Sequence, residues 1–165
     1  MALNPITLPP LTELEKHIVH TIAVKQDQAA AEGNLKSKNL SKGKSDYDQR
    51  ILGGGAELAY CKYMNLFWPM VFGSDGGVDC IEHDGTTVDV KSSVHWNLIV
   101  PAAKRLDADK YVHLSFDGDR YTIRGWATAE EVARADVVKY LCLTRILIPS
   151  ELRDVVLINH NSYSQ

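Results

Sequence analysis

VDCIEHDGTTVDVKSSV, residues Val78 to Val94, is the stretch from which the rest of the chain can be read. Two runs of alternating apolar and polar residues, VDCIE and TTVDVKSSV, flank a His83-Asp84-Gly85 turn, which is the pattern of a β-hairpin. Strand side chains alternate between faces, so Asp89 and Lys91 share one face while Val88 and Val90 share the other. Asp79 belongs to the partner strand, where antiparallel pairing brings it toward Asp89. Glu57, on the preceding helix, completes the group. Three carboxylates converging on one point repel each other unless a cation stands between them, and hard oxygen ligands of this kind suit Mg²⁺ or Mn²⁺. A lysine beside them can orient a water and offset negative charge developing on a phosphate. The Asp-x-Lys tripeptide alone carries little weight. With 13 Asp and 11 Lys in 165 residues, chance supplies about one such tripeptide, and an exposed strand face bearing both residues is the competing reading.

Upstream, Thr12 with Glu15 forms a capping box, and Leu14, Ile18 and Ile22 keep helical spacing, so a helix is expected from about Thr12 to Glu32, ending at Gly33. GNLKSKNLSKGKSD has no periodicity and reads as a basic loop. A second helix is expected from about Asp46 to Asn65. Gly53, Gly54 and Gly55 cost it up to about 1 kcal/mol each, which makes sense where something packs closely. Downstream, KYVHLSF and RYTIRGWA flank Asp117, Gly118 and Asp119 as a second hairpin. Thr128 with Glu131 caps a short helix, and YLCLTRILIP is the last strand. The expected fold class is α/β: a mixed β-sheet flanked by α-helices, in a single domain. Residues 1–45 carry the N-terminal helix and basic loop, and 46–165 carry the core.

Composition sets the outer limits. At 165 residues, 45% hydrophobic and 24% charged, the chain can bury a core without disulfide or metal support. Cys61, Cys80 and Cys142 are widely spaced with no CxxC pair, which argues against a disulfide framework or a zinc knuckle and for a reducing, cytoplasmic setting. No signal-like N-terminus and no long apolar run appear, so neither secretion nor a membrane partner is expected. The net charge of −3 conceals two opposed stretches. Asn34 to Ser45 holds Lys36, Lys38, Lys42 and Lys44 and no acid, whereas Asp75 to Asp89 holds five acids and no Lys or Arg.

The arrangement resembles the PD-(D/E)XK nuclease superfamily, with its restriction-endonuclease-like fold, from about Gln49 to Val155. GGGAELAYCKYMN is similar to the family's Glu-bearing helix, GGVDC to its hairpin Asp and VDVKSS to its Asp-x-Lys strand. ADKYVHLSFDGDRYTIRGWATAEEV is similar to the two later strands and the Gly-Trp turn into a capped helix, and LIPSELRDV to the C-terminal element. Val78 stands before Asp79 where the motif has Pro. The resemblance implies a metal-dependent DNA endonuclease that hydrolyses phosphodiester bonds with a metal-activated water. Glu57, Asp79 and Asp89 would hold Mg²⁺, with Mn²⁺ able to substitute and the Val90 carbonyl as an extra ligand, and Lys91 would position the water. DNA is the implied partner: Lys36, Lys38, Lys42 and Lys44 would contact its backbone, and Ser92, Ser93 and His95 the strand being cut. A homodimer is expected because one such site cuts one strand, with the N-terminal helix, outside the shared core, as a pairing or clamping element. Small members of the superfamily include Holliday-junction resolvases, repair nucleases and nucleases of phages and mobile elements, and exonuclease action stays open beside these. The rival reading is a DNA-binding or regulatory module that keeps the fold without cutting.

Other motifs are weaker. Gly43 to Ser45 matches the end of a Walker A loop, but Lys38 stands where the first Gly is required, so no nucleotide cofactor is expected. His17 and His20 have no zinc-spaced partners and read as surface residues. Trp96 reads as core before DNA contact.

Overall fold

The structure, a computed structural model, describes residues 4–33, 45–70, 77–139, 143–147 and 152–153. A short strand β1 (Ile6–Thr7) precedes helices α1 (Glu13–Glu32) and α2 (Asp46–Tyr63). Then come β2 (Cys80–Ile81), β3 (Thr87–Ser93), β4 (Leu98–Pro101), β5 (Lys110–Phe116) and β6 (Tyr121–Thr128). Helix α3 (Ala129–Arg134) and strands β7 (Val137–Lys139) and β8 (Leu143–Leu147) follow.

Capping boxes start all three helices. Thr12 pairs with Glu15 on α1 and Thr128 with Glu131 on α3, as the sequence predicts, and Ser45 pairs with Asp48 on α2. Each satisfies backbone N–H groups that the first turn leaves unpaired, worth about 1 kcal/mol.

Five strands form a mixed sheet in the order β1-β6-β5-β3-β2. Both expected hairpins are present: β2 pairs antiparallel with β3, and β5 with β6. β3 and β5 run parallel, with Asp89 beside Tyr111 and Lys91 beside His113. Val88, Val90, Val112, Leu114 and Ile123 form one face of this sheet and pack against α1 and α2 through Val19, Ile22, Leu52, Ala56 and Tyr60. Helix α1 is thus part of the core through Val19 and Ile22, not an appendage to it. The glycines of α2 divide by environment. A Cβ on Gly55 would lie 2.2 Å from the Tyr121 hydroxyl, which donates to the Leu52 carbonyl at 3.0 Å, whereas a Cβ on Gly53 would meet nothing within 4 Å.

The expected single sheet is corrected in one respect. The segment read as the last strand, β8, joins a second, antiparallel sheet of order β4-β8-β7. This sheet and α3 cover Tyr111 and Ala127 on the opposite face of the first sheet, through Leu98, Val100, Val132 and Leu147. Strands β1, β4 and β7 have two to four residues each, too few for alternation to register. Cys61 and Cys80, distant in sequence, meet in the core as free thiols, and that contact with burial holds the Cys61 thiol well above its ordinary value. Among the described residues no helix is long and apolar enough to cross a membrane.

Candidate metal and phosphate site at the edge of β3

Pleat alternation splits β3 as expected. Val88 and Val90 lie under the helices, and Asp89 and Lys91 face the other way. Asp89 is fully buried (0% exposed), so its charge requires partners. It has two: the Lys91 ammonium contacts Oδ1 and the Lys104 ammonium contacts Oδ2 at 2.5 Å. Lys104 comes from the turn after β4, where its N–H donates to the Pro101 carbonyl at 3.0 Å.

Asp79 stands just before β2, at the sheet edge. Its N–H donates to the Val88 carbonyl at 2.8 Å, and its Oδ2 accepts the Val90 N–H at 2.6 Å. The carboxylate so takes the place of the next backbone acceptor, where the two-residue β2 ladder ends. Val90, expected to offer its carbonyl, is tied to the site through its N–H. Glu57 projects from α2, and its Oε2 accepts from the Trp68 indole at 3.2 Å.

Asp79 senses the other two carboxylates. Burial, reinforced by the charges of Glu57 and Asp89, pushes the Asp79 carboxyl up to about 8, against a smaller downward pull from Lys91 and the Val90 N–H. Burial draws Lys91 down, but Asp89 and Asp79 more than offset this and hold its ammonium above the ordinary range. Lys104 is lowered by burial and by the like charge of Lys91, in spite of Asp89. Burial and repulsion thus act together on Asp79, while two ammonium groups contact Asp89. Among the described residues no three Asp, Glu, His or Cys side chains close into a cage of metal-ligand dimensions. The donor chemistry nevertheless fits a hard divalent cation. Asp79 senses the carboxylates of Glu57 and Asp89, two ammonium groups contact Asp89, and Asp79, whose charged form burial and these neighbours disfavour, is held protonated near neutral pH.

Other expected residues separate. Ser92 pairs in register with Leu114 of the helix-facing core, so it lies on the face opposite Asp89 and Lys91, and only Ser93 shares theirs. The Ser93 hydroxyl donates to the His95 carbonyl at 3.0 Å and accepts the His95 N–H at 3.1 Å. With its one proton committed, it accepts from His113 Nε2 at 3.1 Å. His113 is buried and pushed down to about 4, first by burial and then by Arg124 and His95, so it is a neutral donor and not a base that activates Ser93. His95 is exposed. Trp96, expected in the core, is 64% exposed with the Arg124 guanidinium 4.4 Å from its ring centre. His17 and His20 are exposed on α1, as expected. Lys36, Lys38, Lys42 and Lys44 lie outside the described residues, while Ser45 of the Walker-like GKS caps α2.

Sequence reading missed Lys104 and Lys110. The second closes a separate buried cluster, reaching Glu82 at 2.7 Å while Tyr60 donates to the same carboxylate oxygen at 2.5 Å. No local pattern marks either lysine, because each finds its acid far along the chain. Comparison with protein-family models gives no match, and neither does comparison with curated proteins.

Proposed function

We propose that the protein is a metal-dependent DNA endonuclease of the restriction-endonuclease-like fold, acting on phosphodiester bonds. One observation carries this reading: burial together with the charges of Glu57 and Asp89 raises Asp79 to about 8, beside a lysine that contacts Asp89 from the same strand face. A buried group of like charges with a perturbed carboxyl is a recognised mark of functional sites. A divalent ion held there would supply positive charge for the phosphate oxygens and a water of lowered pKa. Asp79 gives up its proton as it becomes a ligand, so metal affinity rises with pH toward 8. Lys91, fixed by β3 and by Asp89, offers its ammonium to the nucleophile and to charge developing on the phosphate. The lysine-rich segment around Lys36 to Lys44 supplies backbone contacts to DNA, and a homodimer places two such sites for two strands.

A second reading is favoured by a specific observation. Both oxygens of Asp89 contact ammonium groups, as in a structural ion-pair cluster, which suits a DNA-binding or regulatory module that does not cut. Purified protein incubated with Mg²⁺ or Mn²⁺ and linear, nicked, single-stranded or four-way-junction DNA separates the two. Cleavage that chelator abolishes is the expected result, and the preferred substrate distinguishes resolvase, exonuclease and simple endonuclease action. Binding of DNA with no cutting of any substrate in either metal would overturn the proposal in favour of the module.

A further inference from the structure

Lys104 has a place in the site that neither the motif nor the proposed chemistry assigns. Asp89 is fully buried and already contacts Lys91 from its own strand, yet Lys104 reaches its other oxygen at 2.5 Å. One ammonium would balance one carboxylate. The second gives one buried carboxylate two ammonium partners, and Asp79, which senses both Asp89 and Glu57, lies nearby. We propose that Lys104 is a resident cation of this site that exchanges with the divalent ion: it neutralises Asp89 Oδ2 until the ion loads, then turns its ammonium to a phosphate of the DNA backbone. The inference rests on the endonuclease reading.

Two features make Lys104, and not Lys91, the residue that moves. Lys91 is rooted in the middle of the sheet, between Asp89 and Ser93 on one face, whereas Lys104 extends from a turn on a flexible four-carbon stem. In addition, Lys104 packs directly against Gly77, with no side chain between them. A Cβ there would lie 3.0 Å from the Lys104 Nζ, 3.1 Å from its Cε and 3.6 Å from Asp89 Oδ2, on a backbone with φ +92° that favours glycine. Glycine at 77 therefore provides the room that the Lys104 ammonium occupies beside Asp89 Oδ2. A divalent ion and an ammonium on the same carboxylate oxygen repel, so loading expels the lysine, and a phosphate is the anion that the reaction brings to this place.

Titration calorimetry with Mn²⁺ and with Ca²⁺ on the full chain, without DNA, tests the exchange. Lys104→Met removes the competing charge, so metal should bind about tenfold tighter, whereas Lys104→Arg, which keeps the charge, should stay within about twofold of the unaltered protein. With Ca²⁺ present, Lys104→Met should lower the salt slope of DNA binding by about 0.9, the contribution of one phosphate contact. A measurement on the unaltered protein stands apart from folding of any variant: Mn²⁺ should raise the rate at which an amine-acylating reagent labels Lys104, read by mass spectrometry. Metal affinity unchanged in a folded Lys104→Met, or Lys104 labelling indifferent to metal, overturns the exchange. If in that case the unaltered protein still binds Mn²⁺ and cuts DNA, the endonuclease reading survives. If the unaltered protein binds neither ion, both fall together.

Discussion

Replacing Asp79 by asparagine removes the surplus charge of the site while keeping an oxygen to accept the Val90 N–H, which Asp79 takes at 2.6 Å. The sign of the effect follows from the direction of the perturbation. Asp79 is raised from 3.8 to about 8, so between these values the folded protein keeps a proton that the unfolded chain has lost. Its contribution to stability is intact below pH 3.8 and is lost as pH climbs through about 8, the reverse of a salt-bridged aspartate. Full conversion of that interval gives on the order of 5 kcal/mol of strain in the ionised site, an upper bound that relaxation and residual solvent access reduce. An expected gain of about 2 kcal/mol for Asp79→Asn at pH 8 in chelator corresponds to roughly 5 °C in melting temperature for a domain of this size. Melting curves of both proteins from pH 4.5 to 8.5 provide the assay. The gap between them should be small at the acid end, widen toward pH 8 and then level off. Addition of Mn²⁺ should raise the unaltered protein most at high pH and leave Asp79→Asn almost unmoved. Parallel pH profiles, or an Asp79→Asn less stable than its parent at pH 8, would refute the idea that three carboxylates crowd one volume.

Lys91→Ala should fold, as judged by circular dichroism, and lose on the order of 10² in cleavage rate, and a rate within about threefold of the parent would remove Lys91 from the mechanism. Replacing Lys36, Lys38, Lys42 and Lys44 by Ala should lower the salt slope of DNA binding by about 3.6 if all four meet phosphates, with binding measured at several salt concentrations. Gly55→Ala should destabilise by about 1 to 3 kcal/mol in denaturant titrations, because its Cβ would lie 2.2 Å from a Tyr121 hydroxyl already engaged with Leu52, while Gly53→Ala should stabilise by up to about 1 kcal/mol.

What could be read in advance was local. Capping boxes need only residues three apart, so Thr12 with Glu15 and Thr128 with Glu131 announced two helix starts. Strand alternation needs only neighbours two apart, so the shared face of Asp89 and Lys91 was legible, as was the turn that pairs β2 with β3. The second sheet was not, because β4 joins β8 through pairs such as Leu98 with Leu147, and nothing in four consecutive residues, LIVP, signals a partner so far along the chain. Trp96 was misread for the related reason that aromatic character says what a side chain can bury and not what the loop allows.

Charge patterning along the chain shows only part of the charge arrangement in space. Asp75 to Asp89 holds five acids and no Lys or Arg, and the fold brings Lys104 to Asp89 across 15 residues and Lys110 to Glu82 across 28. That excess is thus offset at Asp89 and at Glu82, whereas Asp79 closes the end of the β2–β3 ladder by accepting a backbone N–H. An N–H to a carboxylate is a charge-assisted bond that fixes position without supplying a full positive charge. Asp79 is therefore held in place by the sheet and kept protonated near neutral pH by burial and by its charged neighbours, so a divalent ion that displaced this proton would meet a ligand already fixed in position.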